Sequence, residues 1–279
     1  MNRLKYMAAK ILNAGRELVG NSENQTKHKN ITIGITTFEA RFDQYFVPLL
    51  KRIRECTDNE IIIAVNGENN CEFSELYRSN LLKFIAGYEN VFPIFFPRFR
   101  GLSKLWNSIA IHATNDYILM LNDDIMIDDS EFMSQVTSAI QRNEGRTFLI
   151  NRSWSHYLIS RAELDALGYF DERLLGIGEE DGDMTWRYIK LYGRTIPSVK
   201  IKGFKNYAEE TVRSYKPVNI QTHSGTKYSL FNRKFIHEEK YMPASKGIRG
   251  MFDTPVDMKE HEEKQYPYEH FYHLRRGEL

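Results

Sequence analysis

The sequence predicts an α/β protein built on a mostly parallel central sheet flanked by helices. Two patterns carry that expectation. Short runs rich in β-branched and apolar residues recur from residue 31 onward, and segments with apolar residues at helical spacing separate them. Such alternation implies strand–helix–strand crossovers, which join parallel strands. One run, EIIIAVN, is apolar at consecutive positions, as suits a strand covered on both faces.

The elements follow in order. ITIGITTF (31–38) is β-branched and apolar, the first strand. FDQYFVPLLKRIREC (42–56) has the spacing of a helix, and EIIIAVN (60–66) is the second strand. CEFSELYRSNLLKFIAGY (71–88) suits a helix. NVFPIFF (90–96) is the third strand candidate, although Pro93 has no N–H for a ladder. LSKLWNSIAIHAT (102–114) lines Leu102, Leu105, Trp106, Ile109 and Ala110 along one side of a helix. YILML (117–121) is the fourth strand. Asp129 or Ser130 is expected to cap a helix starting near Glu131, and TWRYIKLYG (185–193) reads as a helix ending at Gly193.

Composition narrows the function classes. The 279 residues allow one large domain or two small ones, and the net charge of +1 supplies no global basic field for nucleic acid. Sixteen Tyr and 17 Phe can pack a core or stack on flat ligands. Cys56 and Cys71 have neither metal-ligand nor redox spacing, which fits a reducing compartment. No stretch reaches the roughly 18 consecutive apolar residues of a membrane span. Residues 1–20 read as a basic amphipathic helix with Leu4, Met7, Ile11 and Leu12 on one side, and Lys10 interrupts any signal-like apolar run. Such a helix either packs on its own domain or lies on an anionic membrane surface. The polar run at 21–30 looks like a linker.

Two acidic clusters carry the chemistry. Asn122, Asp123 and Asp124 follow the fourth strand directly. In open α/β sheets, ligands bind beyond the carboxyl ends of the strands. Buried carboxylates there need a cation, hydrogen bonds or water. The competing account is ordinary turn chemistry before a helix. The second cluster is Glu179, Glu180, Asp181 and Asp183, preceded by Gly176 and Gly178. A helix N-terminus favours acids, and Asp183 can pair with Arg187 four residues on, which accounts for one or two of the four. Two separate groups suggest divided labour, one holding a divalent cation and the other acting as general base. His223, in NIQTHSGTKYS (219–229), is an imidazole that Mn²⁺ accepts beside carboxylates, and Lys227, Arg233 and Lys234 could offset a diphosphate. Trp106, Trp154 and Trp186 default to core packing, with Trp154 and Trp186 also candidates for an acceptor platform.

These pieces resemble, in their order, a GT-A glycosyltransferase, nearest to family 2 of the inverting nucleotide-sugar-dependent enzymes. The resemblance runs from about Ile31 to His223 through ITIGITTFEAR (31–41), EIIIAVNGENN (60–70), RGLSKLWNSIA (100–110), LNDD (121–124) and, most specifically, GYFDERLLGIGEEDGDMTWR (168–187). It implies a GT-A (Rossmann-like) sheet with a C-terminal acceptor-side extension. It also implies Asp181 as catalytic base beside Glu180, and Asp124 with His223 as metal ligands. Thr36, Phe38, Glu39, Asn66, Asn107, Asp123 and Asp124 would line the donor site. Asn122 departs from the family's pattern, standing where an acidic residue is usual. The implied cofactors are Mn²⁺ or Mg²⁺ and a nucleoside-diphosphate sugar, UDP first. The implied acceptor is a glycan or lipid-linked glycan, with no nucleic acid involved.

The expected organisation is an N-terminal helix and linker at 1–30, a glycosyltransferase domain at 31–235 and a C-terminal extension at 236–279. The segment 241–252 is a candidate lid and 258–279 a charged tail. Cytoplasmic placement, with peripheral contact at the inner membrane face through residues 1–20, follows from the resemblance. Two other classes compete. One is a catalytically silent glycan- or partner-binding domain, which Asn122 keeps open. The other is a nucleotidyltransferase, against which ITTFEARFDQ lacks the glycine-rich phosphate loop.

Overall fold

The computed structural model describes residues 30–67, 72–174 and 176–207, together with 28, 232, 233, 236, 241–242 and 259–260. The N-terminal helix, His223, Lys227, Lys234, Cys71 and most of the lid and tail segments lie outside the described residues. No helix among the described residues is long and apolar enough to cross a membrane.

The core is a seven-stranded sheet in the order β3-β2-β1-β4-β7-β6-β8. Strands β1 (Ile31–Phe38), β2 (Ile61–Asn66), β3 (Val91–Phe96) and β4 (Tyr117–Asn122) run parallel. Then β7 (Ser153–Ser160) pairs antiparallel with β4 and with β6 (Phe148–Ile150), which holds β8 (Ser198–Val199) in parallel. Outside this sheet, β5 (Ile125–Ile127) pairs with β9 (Phe204–Asn206), and Tyr241–Met242 pairs with Lys259–Glu260. Every residue of β2 is buried, as its unbroken apolar run requires. Pro93 is accommodated because β3 is an edge strand.

Period-2 alternation divides the strands between two cores. Ile33, Ile35, Ile63, Leu119 and Leu121 face one side. There they meet α1 (Val47–Cys56), α2 (Glu75–Ile85) and α4 (Phe132–Arg142) through residues such as Leu50, Leu81 and Val136. Ile62, Ala64, Ile118, Met120 and Tyr157 face the other. They meet α3 (Leu102–His112), α5 (Arg161–Leu167) and α6 (Glu180–Tyr192). The result is the helix–sheet–helix arrangement that the alternation predicts. At Gly34 the approach of α3 is so close that a β-carbon would stand 2.4 Å from Ile109 Cγ2.

The chain leaves β1 toward β2 and β3 on one side and returns through β4 on the other. The reversal of strand order therefore falls between β1 and β4, where open sheets part their loops into a ligand crevice. Two details differ from the sequence reading. Residues 42–46 form a wider π-turn before α1, and Ser74 rather than residue 71 starts α2, its hydroxyl accepting from Tyr77 N–H at 3.0 Å. Neither Asp129 nor Ser130 is the cap expected of it: Glu131 stands at the N-cap of α4 without a side-chain bond, and Asp129 accepts from Glu131 N–H at 2.9 Å in the turn before it.

Candidate active site

The site is built from the loops at the carboxyl ends of β1, β2 and β4. Asp123 and Asp124 turn away from β4 and are almost fully buried, at 2 and 5% exposure. Their cation comes from the chain itself. Arg41, in a 3-10 turn after β1 (Glu39–Arg41), donates from Nη1 to Asp123 Oδ1 at 2.7 Å and stands 3.2 Å from Asp124 Oδ2. Its guanidinium lies against two rings, 5.1 Å from the Phe38 centroid and 5.7 Å from that of Tyr45. Sequence reasoning missed Arg41, although a basic residue just beyond a strand end and facing buried acids was the signal available.

Arg41 balances only part of the charge, since one guanidinium faces two carboxylates. Burial pushes the Asp123 carboxyl up to about 6, with Arg41 opposing the rise and Asp124 adding to it. The buried Thr37 hydroxyl lies close to both the Asp123 carboxylate and the Tyr77 hydroxyl. Beside Asp124 lies His156 on β7, opposite Leu121 in the ladder. This imidazole is 2% exposed, tilts over Phe204 at 5.6 Å, and has no hydrogen-bond partner at either nitrogen. Burial lowers it to about 4, so it is neutral at physiological pH. The sequence reading passed over His156 because β7 carries no clean alternation.

The other expected donor-site residues are each held by their own neighbours. Thr36 is buried and pairs in register with Ala64 and with Asn122. Glu39 accepts from Ser74 N–H and the Ser74 hydroxyl at 2.7 and 2.6 Å, tying the β1 loop to the start of α2. Asn66 clamps the backbone of Arg100, donating to its carbonyl at 3.0 Å and accepting its N–H at 2.9 Å. Asn107 is fully buried, bonded to both the N–H and the carbonyl of Phe170 and to Glu172. It holds the 170–172 segment onto α3.

That segment leads into the second acidic cluster, and each of its four carboxylates has a distinct surrounding. Asp183 pairs with Arg187 at 3.0 Å inside the core, the expected one-turn pair. Glu179 adopts a left-handed backbone, φ 75°, and is gripped by Arg233 at 2.7 and 3.0 Å. Glu180 accepts the Gly178 N–H at 2.6 Å and Asp181 the Gly182 N–H at 2.8 Å. Among the described residues neither of these two has an ion-pair partner. Burial and the Asp181 charge push the Glu180 carboxyl up to about 8, and burial also raises Asp181. Glu180 is therefore largely protonated at neutral pH, leaving Asp181, partly open to solvent, as the lower-lying base of the two.

Both clusters lie at one rim of the sheet. The loop before α6 rests on the start of α3, where Leu102 N–H donates to Gly176 O at 2.8 Å. Adjacent β7 residues reach the two clusters from opposite faces: His156 feels Asp124, and the buried Tyr157 hydroxyl feels Glu180 and Asp181. Trp106 and Trp186 are buried at 3% exposure, so neither can offer a ring to an acceptor. Trp154 is half-buried, with its ring 4.8 Å from that of Tyr157.

A divalent cation fits the first cluster in charge and donor chemistry. Two carboxylates share one guanidinium, and carboxylate oxygens are the donors that suit Mg²⁺ or Mn²⁺. No three His, Cys, Asp or Glu side chains among the described residues converge on one point, so further donors would have to come from a ligand or from outside these residues.

No protein-family model matches the chain, and no curated protein does. Solved structures match it at low identity. S. aureus TarS 1–349 in complex with UDP is 14% identical at a TM-score of 0.46, covering 62% of this chain and 61% of its own. Mannosyltransferase PcManGT from Pyrobaculum calidifontis in complex with GDP-Man and Mn²⁺ is 11% identical at 0.48, covering 70 and 63%. Glucosyl-3-phosphoglycerate synthase from Mycobacterium tuberculosis in complex with Mg²⁺ and UDP is 13% identical at 0.48, covering 64 and 71%. The chain spans about three fifths of the length of the first two, and 36% of a longer TarS structure.

Proposed function

We propose that the protein is a glycosyltransferase of the GT-A class that moves a sugar from a nucleoside-diphosphate donor to a hydroxyl of a glycan or glycolipid acceptor, with inversion. The observation that carries this reading is the placing of two unlike carboxylate clusters at one rim of the sheet. One lies at the β1/β4 crevice beside a cation, and the other is a pair of acids with raised affinity for protons.

In this reading the donor lies across the crevice. Thr36, Phe38, Glu39 and Asn66 border its nucleoside, with UDP the first expectation, and Asp123 and Asp124 border its diphosphate. Asp124 and His223 would hold Mn²⁺ or Mg²⁺, which when bound supplies charge to stabilise the leaving diphosphate. Asp181 accepts the proton of the attacking acceptor hydroxyl, on the face of the sugar opposite the leaving group. Glu180, neutral beside it, keeps a second negative charge away from that base. Asn107 acts through the 170–172 segment and positions the loop rather than touching the donor. Work on membrane-bound acceptors from the cytoplasmic side is part of the same proposal, with residues 1–20 as the contact.

A donor screen by calorimetry tests it, using UDP, GDP, dTDP and CMP sugars with Mn²⁺ and with chelator. One nucleotide should bind in a metal-dependent way. Asp181→Asn should lower transfer by about 10²- to 10⁴-fold while donor affinity stays within about twofold. Failure of every nucleotide to bind would leave a silent binding domain as the better account.

A further inference from the structure

The acidic pair at the β1/β4 crevice already has a cation, and that cation is built into the site rather than lying over it. Arg41 is 7% exposed, bridges Asp123 and Asp124 at 2.7 and 3.2 Å, and lies over the Phe38 and Tyr45 rings at 5.1 and 5.7 Å from their centroids. Its turn is tied down by Glu39, which bonds the start of α2 through two short contacts. A guanidinium is delocalised and planar, so it can bridge two carboxylates and still stack on an aromatic face. Two buried carboxylates share this single guanidinium, and the His156 imidazole beside Asp124 is 98% buried with no hydrogen-bond partner at either nitrogen. An incoming divalent ion and Arg41 would compete for the same carboxylate oxygens.

We propose that Arg41 is the resident counter-cation of the Asp123–Asp124 pair, that a divalent ion binds by displacing it from Asp124, and that the released guanidinium then pairs with the donor diphosphate. The second half rests on the transferase reading, and the first half does not. Metal and donor binding are thereby linked through one side chain. While Arg41 stays on Asp124 the site holds neither tightly. Once it leaves, it carries its positive charge toward the phosphates, for which a planar fork of N–H donors is well matched.

The test reads Mn²⁺ binding by electron paramagnetic resonance, without nucleotide, on the wild-type chain and on Arg41→Met. Removing the competing cation should tighten Mn²⁺ at least tenfold. UDP binding in saturating Mn²⁺ should weaken at least tenfold in the same variant. Unchanged or weaker Mn²⁺ binding overturns the displacement. Tighter Mn²⁺ with unchanged UDP affinity overturns the phosphate contact alone. If Arg41→Met shows no cooperative melt, Arg41→Lys serves instead. It keeps the charge but reaches one carboxylate at a time, and should tighten Mn²⁺ about threefold. If the wild-type chain binds another of the four nucleotides instead of UDP, that one takes its place; absence of binding to all four would remove the transferase reading and the phosphate contact, while the Mn²⁺ comparison would still decide the displacement.

Discussion

Glu180 and Asp183 sit three positions apart in α6 and meet opposite surroundings. Asp183 is buried against Arg187, so its charge is matched inside the core. Removing one partner of such a pair leaves the other uncompensated, which is why the pair belongs to folding. Glu180 has a backbone N–H and a neighbouring acid instead, and its carboxyl is pushed up to about 8. A carboxyl whose folded value exceeds its unfolded one favours the folded state at low pH. That advantage is lost between pH 4.5 and 8, because the unfolded chain gives up its proton first. The loss from Glu180 therefore grows as pH rises toward 8. Urea melts of Glu180→Gln should show that decline removed, with the variant more stable than wild type at pH 8. An equal decline in both would mean that Glu180 is ionised in the folded chain. His156 acts in the other direction. Lowered to about 4, it stabilises the fold above pH 6.5 and loses that contribution as pH falls toward 4.

At the scale of elements, the site depends on how closely α3 and β1 approach. Gly34 lets Ile109 lie against the β1 backbone, and Met120 Sδ would stand 2.8 Å from an added β-carbon. Gly34→Ala should therefore force β1 and α3 apart and cost about 1–3 kcal/mol, read as a lower melting temperature. Because Thr36, Phe38 and Arg41 follow Gly34 on the same strand and turn, nucleotide affinity should fall as well. Neutral stability would show that the two elements have slack. The first four strands were legible from short runs rich in apolar and β-branched residues. Strand β7 was not, because SWSHYLIS alternates poorly and its burial is imposed by β4, β6 and β9. Pro93 was correctly seen as unusual, and the edge position of β3 explains how it is tolerated.

For the whole molecule, the proposed acceptor side turns on residues 1–20, which lie outside the described residues. If that basic amphipathic segment contacts membrane, flotation with vesicles of about 30% anionic lipid should carry the full chain upward. Deletion of residues 1–20 should abolish it, and raised salt should weaken it. Equal flotation with and without the segment would remove the membrane contact from the proposal.

The order of the first four strands and the helices between them, the two acidic clusters and the turn residues around them were written in local pattern. Hydrophobic period and turn chemistry depend on near neighbours in the chain, so a sequence displays them directly. The Asp183–Arg187 pair was legible for the same reason, one helical turn apart. Arg41 meets Asp123 across 82 positions, and no local period announces such a contact. Only the adjacency of β1 and β4 in the sheet brings the guanidinium onto the carboxylates. The contrast in surroundings between Glu180 and Asp181 likewise comes from the fold. Both are ordinary acids in the chain, and their affinity for protons is set by what buries them and which backbone N–H each one meets.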